Sequence, residues 1–108
     1  MNNVLEKGAY SAPIDQAEVC AGWRAEGFSF GVFRDGPGQE WNGFVHDDDE
    51  YVTVAEGRLR ISVGDATVEA GPGDLVRIPA GVVHSLKTVS PDGSVWLYGY
   101  GHWGGDNG

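Results

Sequence analysis

Residues 38–57 read GQEWNGFVHDDDEYVTVAEG, and the architecture of the chain follows from this stretch. A strand-like segment, Gln39–Val45, runs into a turn that carries His46 and the acidic run Asp47-Asp48-Asp49-Glu50. A second segment rich in β-branched residues, Glu50–Ala55, leaves that turn, and Glu56-Gly57 reverses the chain again. His46 is one of three histidines, and the run beside it is the densest acid in the sequence. Neutral imidazole next to hard carboxylates suits a divalent metal. A solvated acidic turn between two strands accounts for the same residues without one.

Downstream, the pattern repeats its logic. Arg58–Val63 alternates, with Leu59, Ile61 and Val63 on one face; Gly64-Asp65 is a hairpin signal, and Ala66–Ala70 pairs back across it. Gly71-Pro72-Gly73-Asp74 is a turn by composition. Leu75–Ile78 is a strand ended by Pro79-Ala80-Gly81, and Val82–Val89 follows with Val82, His84, Leu86 and Thr88 on one face. After Ser90-Pro91-Asp92-Gly93 comes the last strand, Ser94–Tyr100, with Trp96, Tyr98 and Tyr100 sharing a face. Upstream, Phe28, Phe30 and Val32 alternate with Ser29, Gly31 and Phe33 before the turn Asp35-Gly36-Pro37-Gly38. About eight short strands at regular spacing imply a closed β architecture, a sandwich or a barrel.

The N-terminal part differs. Residues 1–12 form an arm without a strong pattern, and a short helix is expected over Asp15–Ala21, opened by an acid suited to capping and ended at Gly22. Trp23 is expected to cover one end of the core. The expected organisation is an arm with a possible short helix over 1–27, a barrel over 28–100 and a frayed tail over 101–108.

Composition excludes several classes. The 108 residues make one domain, with 41% hydrophobic and 21% charged residues. Eighteen glycines and five prolines favour turns and short strands over long helices. A net charge of −9 repels nucleic acid and anionic membrane surfaces alike. Cys20 is the single cysteine, so no intrachain disulfide forms. No segment approaches a membrane span, and Met1–Tyr10 lacks the apolar run of a signal peptide, so a cytoplasmic protein is expected.

Two spaced motifs carry a resemblance. The first is Gly38, five residues, Phe44, one residue, His46, three residues, Glu50, six residues, Gly57. The second is Gly73, five residues, Pro79, one residue, Gly81, two residues, His84, three residues, Thr88, and fifteen residues separate the two. In this order they resemble the paired motifs of the cupin family. The resemblance covers roughly residues 28–100. It implies an all-β double-stranded β-helix, a jelly-roll-like barrel, assembled as a homodimer. It further implies a metal held by His46, Glu50 and His84. Phe44 stands where the family carries its first metal-binding histidine, and Thr88 where it carries asparagine.

The residues themselves are compatible with that site. If the patterned faces of the strands turn inward, His46, Glu50 and His84 converge inside the barrel, a facial set with open positions that suits Fe, Mn, Zn or Ni as one divalent ion. A cupin that has lost its metal, with Phe44 filling the gap, is the alternative. Asp48 is either an inward replacement ligand or a solvated turn residue, and Asp47 and Asp49 are read as turn residues. The acidic run lacks the glycine and ligand spacing of an EF-hand. Gly99–Gly104 spells GxGxxG but has no helix and no βαβ unit around it, so it is not a dinucleotide fingerprint. Cys20 is expected to be buried and structural, His102 to belong to a mobile tail, and Arg58, Arg60 and Arg77 to face outward.

Trp41, Phe44, Trp96, Tyr98 and Tyr100 are expected to line a substrate pocket beside the metal. Two functions fit: a metal-dependent enzyme of dioxygenase, isomerase or lyase type acting on a small organic molecule, or a non-catalytic sensor or carrier of a small-molecule ligand. No catalytic residue beyond the ligand set is evident in the sequence.

Overall fold

The computed structural model describes residues 4–103. Its elements, in chain order, are β1 (Leu5–Glu6), α1 (Gln16–Ala25), β2 (Gly31–Asp35), β3 (Glu40–Phe44), β4 (Asp49–Glu56), β5 (Leu59–Val63), β6 (Ala66–Ala70), β7 (Leu75–Ile78), β8 (His84–Thr88) and β9 (Ser94–Gly101). They form a five-stranded sheet, β1-β7-β4-β9-β2, and a four-stranded sheet, β3-β8-β5-β6. Every strand pairing within them is antiparallel. The two sheets face each other as the expected jelly-roll barrel, and their inner faces meet in a core of Val52, Val54, Leu59, Ile61, Val63, Ala70, Val76, Ile78, Leu86 and Trp96.

The four-stranded sheet buries one face only. Leu59, Ile61 and Val63 are buried while Arg60, between them, reaches outward to Glu69 at 3.1 Å. This is the alternation expected of a half-solvated strand. In the five-stranded sheet the inner strands β4 and β9 are covered on both faces, so Tyr51-Val52-Thr53-Val54 and Val95-Trp96-Leu97 are unbroken buried runs. Val52, Val54 and Trp96 face the barrel. Tyr51, Leu75 and Leu97 face a second cluster completed by Val19 and Trp23 of α1 and by Phe28.

α1 is longer than the sequence suggested. Asp15 caps it as expected, accepting from the Glu18 amide at 3.2 Å. The helix runs through Gly22 to Ala25 because Val19 and Trp23, one turn apart, must share the face that packs on the sheet. Gly27, at φ +86°, takes the left-handed conformation that ends the turn. Trp23 therefore covers the outer face of a sheet, not one end of the core; it stacks on Tyr51 at 5.3 Å. Cys20 sits on this helix partly exposed, its sulfur accepting from Arg24 Nε at 3.2 Å, and is not the buried residue expected.

The N-terminal arm is also more ordered than its composition implies. β1 pairs with β7, and Asp74 fastens the segment behind it. Its carboxylate accepts from the Gly8 amide at 2.9 Å and the Gly71 amide at 2.9 Å, with Lys7 Nζ at 3.4 Å. Two glycines of the motifs are needed where they stand. Gly57 (φ +85°) backs onto the Gly93 carbonyl and Gly73 (φ +91°) onto the Tyr10 carbonyl, so a Cβ at either would collide with backbone. Thr88 fills the usual asparagine position with its hydroxyl 2.8 Å from that of Ser94, both buried. His102 and Trp103, expected to fray, are held by contacts described below; residues 104–108 of that tail, and with them the last glycine of GxGxxG, lie outside the described residues.

Burial pushes the Asp74 carboxyl up, but the Gly71 and Gly8 amides and the Lys7 ammonium outweigh it and hold it below the ordinary carboxylate value. A group depressed in the folded state adds stability above its unfolded pKa, and that stability is lost as pH falls through the folded value. Asp74→Asn is expected to lower unfolding free energy by about 2 kcal/mol at pH 7. In urea titrations the gap to wild type should narrow below about pH 4.

Candidate metal centre

Three elements deliver the polar centre. Glu50 is the second residue of β4, on the inner face with Val52 and Val54, and is 3% exposed. His84 opens β8 in the facing sheet and is 2% exposed. His46 lies in the connection between β3 and β4, where its carbonyl accepts from the Gly81 amide at 2.8 Å. That bond ties the first motif to the second.

His84 Nε2 stands 3.4 Å and His46 Nε2 3.6 Å from the same oxygen, Glu50 Oε1. One donor atom from each residue lies within 4.8 Å of the others. Glu50 Oε1 is buried and makes no hydrogen bond. His84 Nδ1 is 3.2 Å from the Val82 carbonyl, so its N–H belongs there and its Nε2 lone pair turns toward Glu50. A lone pair facing a carboxylate oxygen is repulsive unless a cation stands between them, either a proton or a metal ion. Separations of 3.4 and 3.6 Å are near the roughly 3–3.5 Å between neighbouring donors around a metal at about 2.0–2.2 Å. The donor set and the orphaned oxygen thus fit a divalent ion.

Of the acidic run, only Glu50 joins this cluster. Asp48 is half exposed and its Oδ1 is 3.0 Å from His102 Nε2, so the tail histidine has a partner. Asp49, read as a turn residue, does more: its carboxylate accepts from the Ala80 amide at 2.8 Å and the Trp103 amide at 2.9 Å. One side chain thereby braces the His46–Glu50 segment against the second motif and the C-terminal strand.

The centre opens into a hollow of about 230 Å³ walled by Phe33, Trp41, Phe44, Leu86, Trp96 and Tyr100. Trp41 and Phe44 both reach it although three residues apart, because the β3–β8 register shifts between them. Phe44 pairs with His84 across the strands, its ring 6.3 Å from that of His46 and 6.2 Å from that of His84. Tyr98 stands beside the hollow, its ring 5.8 Å from those of Trp96 and Tyr100, and is not among the residues lining it. Tyr100 packs edge-on to His46 at 5.0 Å. Burial, with the charges of Glu50 and Asp48 and the neighbouring Tyr98, pushes its hydroxyl up to about 12, so it stays protonated at neutral pH. Phe33 and Leu86 line the hollow without having been expected there, and neither was the Asp35 carboxylate behind the walls, which accepts from Trp41 Nε1 at 3.0 Å and Trp96 Nε1 at 2.9 Å. Indole N–H groups in a wall need acceptors, and that need was the available signal for Asp35.

The description of a Cupin domain matches residues 31–100. The chain belongs to the cupin family. An uncharacterized protein of Streptomyces coelicolor is 33% identical to this cupin over 69 residues; the match spans 64% of this chain and 66% of that relative, just under two thirds of its length. A solved protein of unknown function from Rhizobium leguminosarum bv. viciae 3841 is 31% identical, with a TM-score of 0.62 over 69% of this chain and 70% of that one. One solved chain described among crystal structures of DMSP lyases is 26% identical, with a TM-score of 0.64 over 74% of this chain and 42% of that one. Against the cupin pattern, Phe44 is the departure at the centre itself.

Burial pushes the His84 imidazole down, but the Glu50 carboxylate and the Val82 carbonyl outweigh it and raise it above the ordinary histidine value. A raised group adds stability below its unfolded pKa of about 6.5, and that stability is lost as pH climbs through the folded value. In chelator-treated protein, the stability advantage of wild type over His84→Asn should therefore be larger at pH 5.5 than at pH 8.5, read by chemical denaturation at both.

Proposed function

We propose that this cupin binds one divalent metal ion through His46, Glu50 and His84 and acts as a metal-dependent enzyme on a small organic molecule, in chemistry of the dioxygenase, isomerase or lyase type. One observation carries the reading: a buried carboxylate oxygen without a hydrogen bond, faced by two imidazole nitrogens. Bound there, the ion would supply Lewis acidity and an activated water or substrate oxygen. The chain's own residues do the rest. Val82 fixes the His84 tautomer, and β4 fixes Glu50. The aromatic walls exclude water and orient the substrate. Tyr100, protonated at neutral pH, offers a hydrogen bond inside the hollow. At about 230 Å³ the space is smaller than the roughly 300–1,000 Å³ of drug-sized sites, which favours a small substrate. Similarity to the DMSP lyases supports an enzyme.

A second reading, a non-catalytic binder, is favoured by Phe44. It occupies the place of a ligand with an apolar ring that is 37% exposed at the hollow.

Elemental analysis of untagged protein, with reconstitution by Fe(II), Mn²⁺, Zn²⁺ and Ni²⁺, tests the centre. One equivalent of metal is expected in the parent. Removing an outer-shell partner costs about 10–100-fold in affinity, so His84→Ala and His46→Ala, which remove ligands, should each cost at least about 100-fold. Phe44→His should tighten binding. Absence of stoichiometric metal in the reconstituted parent overturns the reading. Turnover in a substrate screen by the loaded parent, lost in His84→Ala, separates enzyme from binder.

A further inference from the structure

We propose that the hollow takes a small monocarboxylate with an otherwise hydrocarbon body, its head held by the metal centre and the Tyr100 hydroxyl, its body laid along Phe44, Phe33 and Trp41. The proposal rests on the reading that this centre holds a divalent ion, and it names the class of ligand.

The lining is divided into two ends. At one, the His46 ring lies 4.9 Å from that of His84 and 5.0 Å from that of Tyr100, with Glu50 Oε1 in reach of both histidines. At the other, Phe33 lies 5.8 Å from Trp41 and 5.1 Å from Trp96. These three rings pack on one another and make a wall, not a cage. Trp96 is buried, so the surface offered is that of Phe33, 41% exposed, and of half-buried Trp41. Phe44 joins the two ends, 6.4 Å from Trp41 and 6.2 Å from His84, and carries apolar surface up to the donors.

Away from the centre, the lining side chains leave no hydrogen-bonding atom free. Phe33, Phe44 and Leu86 have none, and the indole N–H groups of Trp41 and Trp96 both donate to Asp35 Oδ2, at 3.0 and 2.9 Å. Asp35 thus withdraws the two donors that this wall would otherwise present. A second polar group on the ligand body would give up water and gain no side-chain partner, which selects against it.

The polar end selects the head. The Tyr100 amide donates to Ser29 Oγ at 3.0 Å, while its hydroxyl, in the lining, has no partner among the described residues. Glu50 is the one carboxylate in the lining, so a divalent ion there would leave the centre with a net positive charge. Asp47 and Asp48 line the neighbouring opening instead, and Asp48 is paired with His102 at 3.0 Å. A carboxylate answers both features: its oxygens only accept, and its single negative charge balances the centre without the arginine or lysine that the lining lacks.

The test compares three ligands of one shape by isothermal titration calorimetry on metal-reconstituted protein, with metal content measured on the same preparation. They are 4-methylpentanoate; 4-oxopentanoate, with a carbonyl oxygen in place of a body methyl; and 5-methylhexan-2-one, with a methyl in place of a head oxygen. The first is expected to bind at least about 5-fold more tightly than either of the others. Tyr100→Phe should weaken it at least about 3-fold and preserve its preference over 4-oxopentanoate. Phe33→Asn, which gives the exposed part of the wall a donor, should shrink that preference toward unity. A purely structural role for Phe33 would weaken both ligands and leave the ratio unchanged. Equal or tighter binding of either isostere, undiminished affinity in Tyr100→Phe, an unchanged ratio in Phe33→Asn, or no binding of 4-methylpentanoate at millimolar concentration overturns the proposal. A preparation that takes up metal but does not discriminate sinks this proposal alone. One that discriminates without metal sinks the metal reading alone, and one that does neither sinks both.

Discussion

The Glu50 carboxylate is held inside a barrel with one oxygen unpartnered and two imidazole nitrogens turned toward it. Left so, it costs the desolvation free energy of a buried acceptor, a penalty of about 1–3 kcal/mol or more for a charged group. A cation between the three side chains removes that cost, and much of the surrounding structure serves to keep them facing one another. Glu50 and His84 come from opposite sheets, so the barrel must be closed for them to meet. His46 is not on a strand. Its place depends on the Gly81–His46 backbone bond and on Asp49, which pins the same segment to Ala80 and Trp103.

The strands were legible because most of them obey a period of two with glycine and proline between. The convergence of His46, Glu50 and His84 was legible through motif spacing, since each histidine sits at a fixed distance from a turn glycine. What the sequence hid was the second buried face of the five-stranded sheet. Tyr51-Val52-Thr53-Val54 shows no alternation because α1 covers the outer side, and that covering is a long-range contact with no local signature. The same contact explains the helix end: Gly22 looks like a stop, yet Trp23 is 1% exposed and has to remain in register with Val19. A mid-helix glycine costs roughly 0.5–1 kcal/mol, less than the roughly 1.5–3 kcal/mol from burying a large apolar side chain.

Asp49 and Asp35 illustrate the other kind of hidden information. Both sit in turn-like, acidic or glycine-rich surroundings, where a carboxylate on the surface is the ordinary outcome. Their partners are backbone amides and indole nitrogens 6 to 61 residues away in sequence, which no local pattern encodes. Phe44 was legible as a departure, and the structure gives it a place: it pairs with His84 and presents its ring to the hollow from the position of a missing ligand. The centre is a three-donor arrangement joined to an aromatic space, and the two are coupled because His46, Glu50 and His84 themselves line that space.

The most direct measurement is an anomalous-scattering map from crystals of the metal-loaded protein, collected on either side of the absorption edge of the metal found in solution. The account predicts one strong peak inside the barrel, bonded to His46 Nε2, Glu50 and His84 Nε2 at about 2.0–2.2 Å, with its remaining positions open to the Phe44 side of the hollow. A map with no peak between these side chains, or with the metal held elsewhere while Glu50 Oε1 stays unpartnered, contradicts it.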